Sequence, residues 1–251
     1  MQFLFGSGAI YATPLIDASG NAVVNPTPVK FLACQDISCD LSFDTKMLYG
    51  TSQMPLAVGR GKGKVSLKAH FGQVNGALFN NAFFGQTLTT GQEGIYQDVS
   101  GTAIPAATPW TITPAPPSSG IWAADLGVRD HNGVPMTRVA STPTTGQYSV
   151  AAGVYTFASA DTGLLVFIDY RYTVTTGQKI SITNQLLGST PTVALDVVVP
   201  YAGKQLTARF PQGIAGKMSF ATKLDDFTVP EVDFDCFADA ANNVGTLTLA
   251  E

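Results

Sequence analysis

VKFLACQDISCDLSFD, Val29 to Asp44, is the stretch whose reading decides the fold. Val29, Phe31, Ala33, Ile37, Cys39, Leu41 and Phe43 hold odd positions, and Lys30, Asp36, Ser38, Asp40, Ser42 and Asp44 hold even ones. Successive side chains leave a strand on opposite sides, so this alternation predicts a β-strand with one dry and one wet face. The pattern returns in KVSLKAHF, Lys64 to Phe71, where Val65, Leu67, Ala69 and Phe71 alternate with Lys64, Ser66, Lys68 and His70. Antiparallel pairing would set Asp36, Asp40 and Asp44 across from Lys64, Lys68 and His70, and each opposite-charge pair stabilises by about 0.2–1 kcal/mol. Between the strands, Thr45 to Gly63 reads as a long loop rich in Gly, Lys, Ser and Met. Loops of that length in compact domains tend to be functional or disordered. This one carries Met47, Leu48, Tyr49, Met54, Leu56 and Val58, which need burial, and a partner subunit is the natural place. Beyond the second strand, Gln73 to Phe84 lacks proline and alternation. Its spacings Phe79/Phe83 and Val74/Leu78/Ala82 predict a short buried helix.

Composition sets wider bounds. A chain of 251 residues suits one large all-β domain or two smaller ones. Charged residues make up 13% of the chain, half of the usual ~25%. Low charge fits a chain that hides surface against copies of itself, and a weakly charged β-sandwich fits the composition equally well. The net charge of −4 gives no bulk attraction to nucleic acid. Cys34, Cys39 and Cys236 are odd in number and irregular in spacing, which argues for free thiols in a reducing cytoplasm over a disulfide framework or a zinc site. No apolar run reaches the ~20 residues of a membrane span, so no membrane partner is expected. Met1 to Phe5 lacks the basic flank of a signal peptide.

The chain opens with an expected strand or arm over Phe3 to Pro14. From Gln86 to Gln178 it turns rich in Thr, Pro, Ala and Gly. Short strands are expected at Trp110–Thr113, Ile121–Val128, Pro135–Val139, Gln147–Val150, Val154–Phe157 and Leu164–Val174, separated by turns such as Asp130-His131-Asn132-Gly133. Strands at about 8–12-residue intervals point to an immunoglobulin-like sandwich, with Ala103–Pro109 and Thr175–Gln178 as linkers. A second alternating block follows: Ile180 and Ile182, Val193 to Val199, Leu206 to Phe210, Lys217–Lys223, Thr228–Phe237 and Val244–Leu249. The expected organisation is one discontinuous β-domain, residues 1–85 and 179–251, interrupted by an inserted domain at 86–178. The fold class is all-β with one short helix.

Motifs for catalysis are sparse. His70 sits on a wet strand face and His131 in a turn, neither beside a nucleophile, so no enzyme is expected. Gly59-Arg60-Gly61-Lys62-Gly63-Lys64 has the wrong spacing for a phosphate loop and feeds a strand where phosphate cradling uses a helix. Glu231, Asp233 and Asp235, with Asp225 and Asp226, offer oxygens for Ca²⁺, but no glycine-centred ligand loop is present, and a solvated acidic face is the stronger reading. Trp110 and Trp122 serve either as sandwich core or as a sugar platform. No cofactor is expected.

In Phe5-Gly6-Ser7-Gly8-Ala9-Ile10-Tyr11, Leu48-Tyr49-Gly50, Gly61-Lys62-Gly63-Lys64-Val65, Asn184-Gln185-Leu186-Leu187-Gly188, and Lys223-Leu224-Asp225-Asp226-Phe227 through Pro230-Glu231-Val232-Asp233-Phe234, the chain resembles the major tail tube proteins of tailed bacteriophages. The resemblance implies a tail-tube-type β-sandwich with a long hairpin and a flanking helix. It also implies hexameric rings stacked into a tube, contacts with other tail proteins, and an immunoglobulin-like insert on the exterior. Such a virion protein would be assembled in the host cytoplasm. DNA would pass through the lumen without specific binding, so the wall should be neutral to acidic. Asp36, Asp40, Asp44, Lys64, Lys68 and His70 are the candidate lumen residues. A capsid decoration or minor tail protein, or a carbohydrate-binding β-sandwich, are the alternatives.

Overall fold

The computed structural model describes residues 6–73, 76–222 and 224–249. In chain order come β1 (Ala9–Ile16), β2 (Val29–Lys30), β3 (Cys34–Tyr49) and β4 (Pro55–Phe71), then α1 (Gly76–Phe79), which runs on as a π-helical turn, Asn80–Phe84. Next are β5 (Thr89–Tyr96), β6 (Thr102–Ala103), β7 (Thr111–Ile112), β8 (Ile121–Asp130), β9 (Thr137–Arg138), β10 (Gln147–Ala151), β11 (Val154–Phe157) and β12 (Leu165–Lys179). The last are β13 (Thr192–Tyr201), β14 (Lys204–Ser219), β15 (Glu231–Cys236) and β16 (Thr246–Leu249). The protein is all-β with one short helix. It divides into two compact units, Met1–Leu88 with Ile180–Glu251, and Thr89–Lys179.

In the first unit one sheet runs β2-β1-β13-β14-β15-β4-β3. β14 is shared lengthwise: Leu206–Arg209 pair with β16, and Gly213–Ser219 with β15. The edge strands β2 and β3 are joined by only three residues, Phe31–Ala33. That link spans little more than ~10 Å, so the sheet curls until its edges nearly meet. This is why Val29–Asp44 is not the single strand its alternation predicts. The chain leaves one edge and joins the other at Ala33, whose φ is +51° and whose carbonyl accepts from Gly72 N–H at 2.9 Å. The crossing drives the Phe31 ring into the core, edge-on to Phe71 at 5.1 Å and Phe234 at 6.1 Å. Leu67, Ala69, Val193, Leu195, Val232 and Phe234 complete the dry face, and Leu78 and Ala82 of the helical segment cap it. The predicted helix falls here, although Val74 lies outside the described residues.

The long loop is overturned. Thr45–Gly63 continues both strands, with Thr45 opposite Arg60, Met47 opposite Val58 and Leu48 opposite Ala57; only the segment between Tyr49 and Pro55 turns. Alternation vanishes here because both faces of the ribbon are exposed, so nothing selects a dry side, while the backbone ladder persists. Lys217–Lys223 is likewise no separate strand, since β14 runs unbroken to Ser219, and Lys223 lies outside the described residues. Ile180 and Ile182 are irregular, and Ile182 is exposed. Of the expected first strand, Phe3–Phe5 lie outside the described residues; β1 begins at Ala9.

In the second unit, β12 carries β8 on one side and β5 with β6 on the other, while a second sheet runs β7-β11-β10-β9. Ile112, Tyr148, Tyr155 and Phe157 of one sheet meet Val128, Val166, Ile168 and Tyr170 of the other in one buried cluster. Neither expected linker is one. Thr175–Gln178 belongs to β12, which Gly177, at φ +93°, helps to kink. Ala103 is in β6, and Ile104 beside it is buried in the core.

Candidate functional site

The hairpin β3–β4 presents three surfaces. The first is its wet face, where the six candidate lumen residues share one side of the sheet. Of the expected cross-strand charge pairs, one forms. Asp40 faces Ser66, Lys68 faces Ser38 and Lys64 faces Ser42; only Asp36 and His70 meet, Nδ1 to Oδ1 at 2.7 Å. The lysines turn the other way, to β15. Lys64 reaches Asp235 at 3.0 Å and Lys68 reaches Asp233 at 3.9 Å, while Lys217 of β14 reaches Glu231 at 3.1 Å. Hydrogen bonding to Lys217, then to Ser219, holds the Glu231 carboxyl below its usual range despite some desolvation. Glu231, Asp233 and Asp235, three of the five candidate Ca²⁺ ligands, thus each sit against a lysine. Across this part of the face, six carboxylates (Asp36, Asp40, Asp44, Glu231, Asp233, Asp235) oppose four lysines (Lys46, Lys64, Lys68, Lys217), an excess of two negative charges. The acidic contribution of β15 was legible as alternation in Glu231–Cys236; its place beside β4 was not, because strand partnership is non-local.

The second surface is the ribbon beyond Leu41 and Val65, where β15 ends and β3–β4 stand alone. Met47, Leu48, Tyr49, Met54, Leu56 and Val58 are all more than half exposed. They lie on hairpin strands and the turn between them, not on a loop. One extra residue on β4, around Gly61-Lys62 opposite Asp44, shifts the register. The shift carries Arg60 to the dry side, where its guanidinium lies 4.8 Å over the Phe43 ring. Gly63 is there for room: a Cβ would stand 2.7 Å from that ring. The glycine- and lysine-rich stretch is therefore a strand with a bulge, and among the described residues no strand pairs with the outer edge of β3.

The third surface is an open apolar groove of about 1100 Å³ on the dry side. Leu41 and Phe43 form one wall, Val197, Val199 and Leu206 another, and Leu247 of β16 a third. The helical segment and Phe31 cap the dry face only near Phe71; Val197 is buried beneath the groove, while Leu41, Phe43 and Leu247 stay exposed among the described residues. Burial pushes the Cys236 thiol up to about 12, helped by Cys39 and Asp235, and raises Cys39 and Cys34 as well.

In the second unit, Trp110 and Trp122 pack against the core cluster, and Trp122 Nε1 donates to Tyr155 Oη at 3.3 Å. His131 lies in the turn after β8, where Gly133 N–H donates to Asp130 O at 3.0 Å. Among the described residues no three His, Cys, Asp or Glu side chains cluster as metal ligands, and no helix is long and apolar enough to cross a membrane. Compared with protein-family models and with curated proteins, the sequence matches none.

Proposed function

We propose that this chain is a structural virion protein: a tail tube subunit that self-assembles into stacked hexameric rings, with DNA passing through the channel and other tail proteins at its ends. The observation that carries the reading is the ribbon. A lone two-stranded hairpin is marginal in water, and a long unpaired edge is normally shortened, charged or covered. Here a 16-residue edge strand stays open and bears Met47, Leu48 and Tyr49 on its outer third. Low overall charge and an uncovered apolar groove support the same reading, since exposed apolar patches of this kind mark interaction surfaces. The acidic excess on the wet face suits a wall that DNA must slide past: few net cations means little counterion release and weak adhesion.

Sedimentation velocity over a concentration series tests this. The wild-type chain should shift from a slow species to large assemblies as concentration rises. The double variant Met54→Asp, Leu56→Asp should stay small with unchanged far-UV circular dichroism. A wild-type chain that remains a monomer at every concentration overturns the reading.

A further inference from the structure

The sheet of the first unit has two ends, and both are apolar. β4 and β14 run the same way, each antiparallel to β15. The hairpin tip between Tyr49 and Pro55 therefore lies at the end where β4 starts. The other end is where β14 finishes. From it leave the segment 220–230, which joins β14 to β15, and the segment 180–191, which leads into β13. Phe71 N–H at the end of β4 donates to Pro230 O at 3.1 Å, which fixes the first of these segments there. The second is tied to the chain just past β1 through a hydrogen bond from Ser189 Oγ to Ala18 O. Neither segment is regular among its described residues, yet Ile182, Leu186, Leu187, Phe220, Leu224 and Phe227 are each about two-thirds exposed or more. None of the described residues of the unit covers them.

The two ends also differ in charge. The ribbon from Phe43 to Gly63 carries Lys46, Arg60 and Lys62 against Asp44, a sum of +2. Segment 220–230 carries Asp225 and Asp226 against Lys223, a sum of −1. Apolar groups meet apolar groups in the core of an interface, and complementary rims fix its register. Ribbon against ribbon would juxtapose like charges; ribbon against loop end would not.

We infer that the loop end of one copy receives the hairpin tip of the next, with Leu187 and Leu224 packing on Met54 and Leu56 and with Asp225 and Asp226 beside Arg60 and Lys62. This deepens the self-assembly reading, on which it rests, by assigning the contact between successive copies along the strand direction. Such a contact is heterologous: each copy keeps one unused end of each kind, so the assembly can extend.

The test mixes two blocked chains. A tip-blocked chain carries Met54→Asp and Leu56→Asp; a loop-blocked chain carries Leu187→Asp and Leu224→Asp. All four positions are exposed, so folding should be kept, as judged by circular dichroism and thermal unfolding. Should a blocked chain misfold, the charge-reversed pair Arg60→Glu, Lys62→Glu and Asp225→Lys, Asp226→Lys replaces it. Each blocked chain alone should fail to extend. An equimolar mixture should give a species of twice the mass of either alone by mass photometry, and no further growth, because one good tip meets one good loop end. Wild-type assembly with a loop-blocked chain that extends equally well overturns the inference and leaves the self-assembly reading standing. So does a mixture that shows no doubling. A wild-type chain that never associates removes both.

Discussion

Asp125 shows how much one residue can hold in a low-charge core. Its carboxylate is almost fully buried, accepts from Tyr148 Oη at 2.8 Å and Tyr155 Oη at 3.1 Å, and has Arg138 at 3.6 Å. Burial, reinforced by that carboxylate, pushes both phenols far above their usual range. Asp125→Ala would leave two inward-facing hydroxyls without an acceptor, each costing about 1–3 kcal/mol. The second unit should lose about 2–4 kcal/mol, read from chemical denaturation, while a wild-type midpoint would show that water or Arg138 replaces the acceptor at no cost. No sequence pattern marks Asp125, because its partners lie 23 and 30 residues away on another sheet. Asp40 and its neighbours are the opposite case. Alternation places them on a wet face, and the structure keeps them there, but the lysines expected opposite them turn instead to the acids of β15.

At the scale of elements, the hairpin decides. Its base, from Ile37 to Leu41 and Val65 to Phe71, is legible because the period of two survives there and Leu67, Ala69 and Phe71 turn one face of β4 into the core. Its outer half is illegible as strand because both faces are wet in the isolated chain. The same reasoning explains the merging of two expected strands into β14 and the missed β5, whose Thr, Gly and Gln give little pattern. The break at Ala33 escapes notice because it is imposed by the curl of the sheet, a property of partners distant in sequence. If the outer ribbon is a contact surface, its amides from Thr45 to Val58 should exchange with solvent quickly in the free chain and slowly in assemblies. Equal protection in both states would show that the ribbon is not part of any contact.

At the scale of the whole molecule, a chain with little charge leaves an acidic sheet face, an uncovered groove and two apolar ends in its first unit. Each is costly in an isolated protein and useful in a repeating one. Around a ring, every copy would repeat the excess of two carboxylates, and a confined channel would concentrate that field. The most direct measurement is a cryo-electron microscopy reconstruction of the assembled wild-type protein at side-chain resolution. The account predicts a hollow tube of stacked rings whose inner wall carries Asp36, Asp40 and Asp44, with the ribbon of each copy buried against a neighbour. A tube with Asp40 on its outer wall, or a ribbon left in solvent, would contradict it.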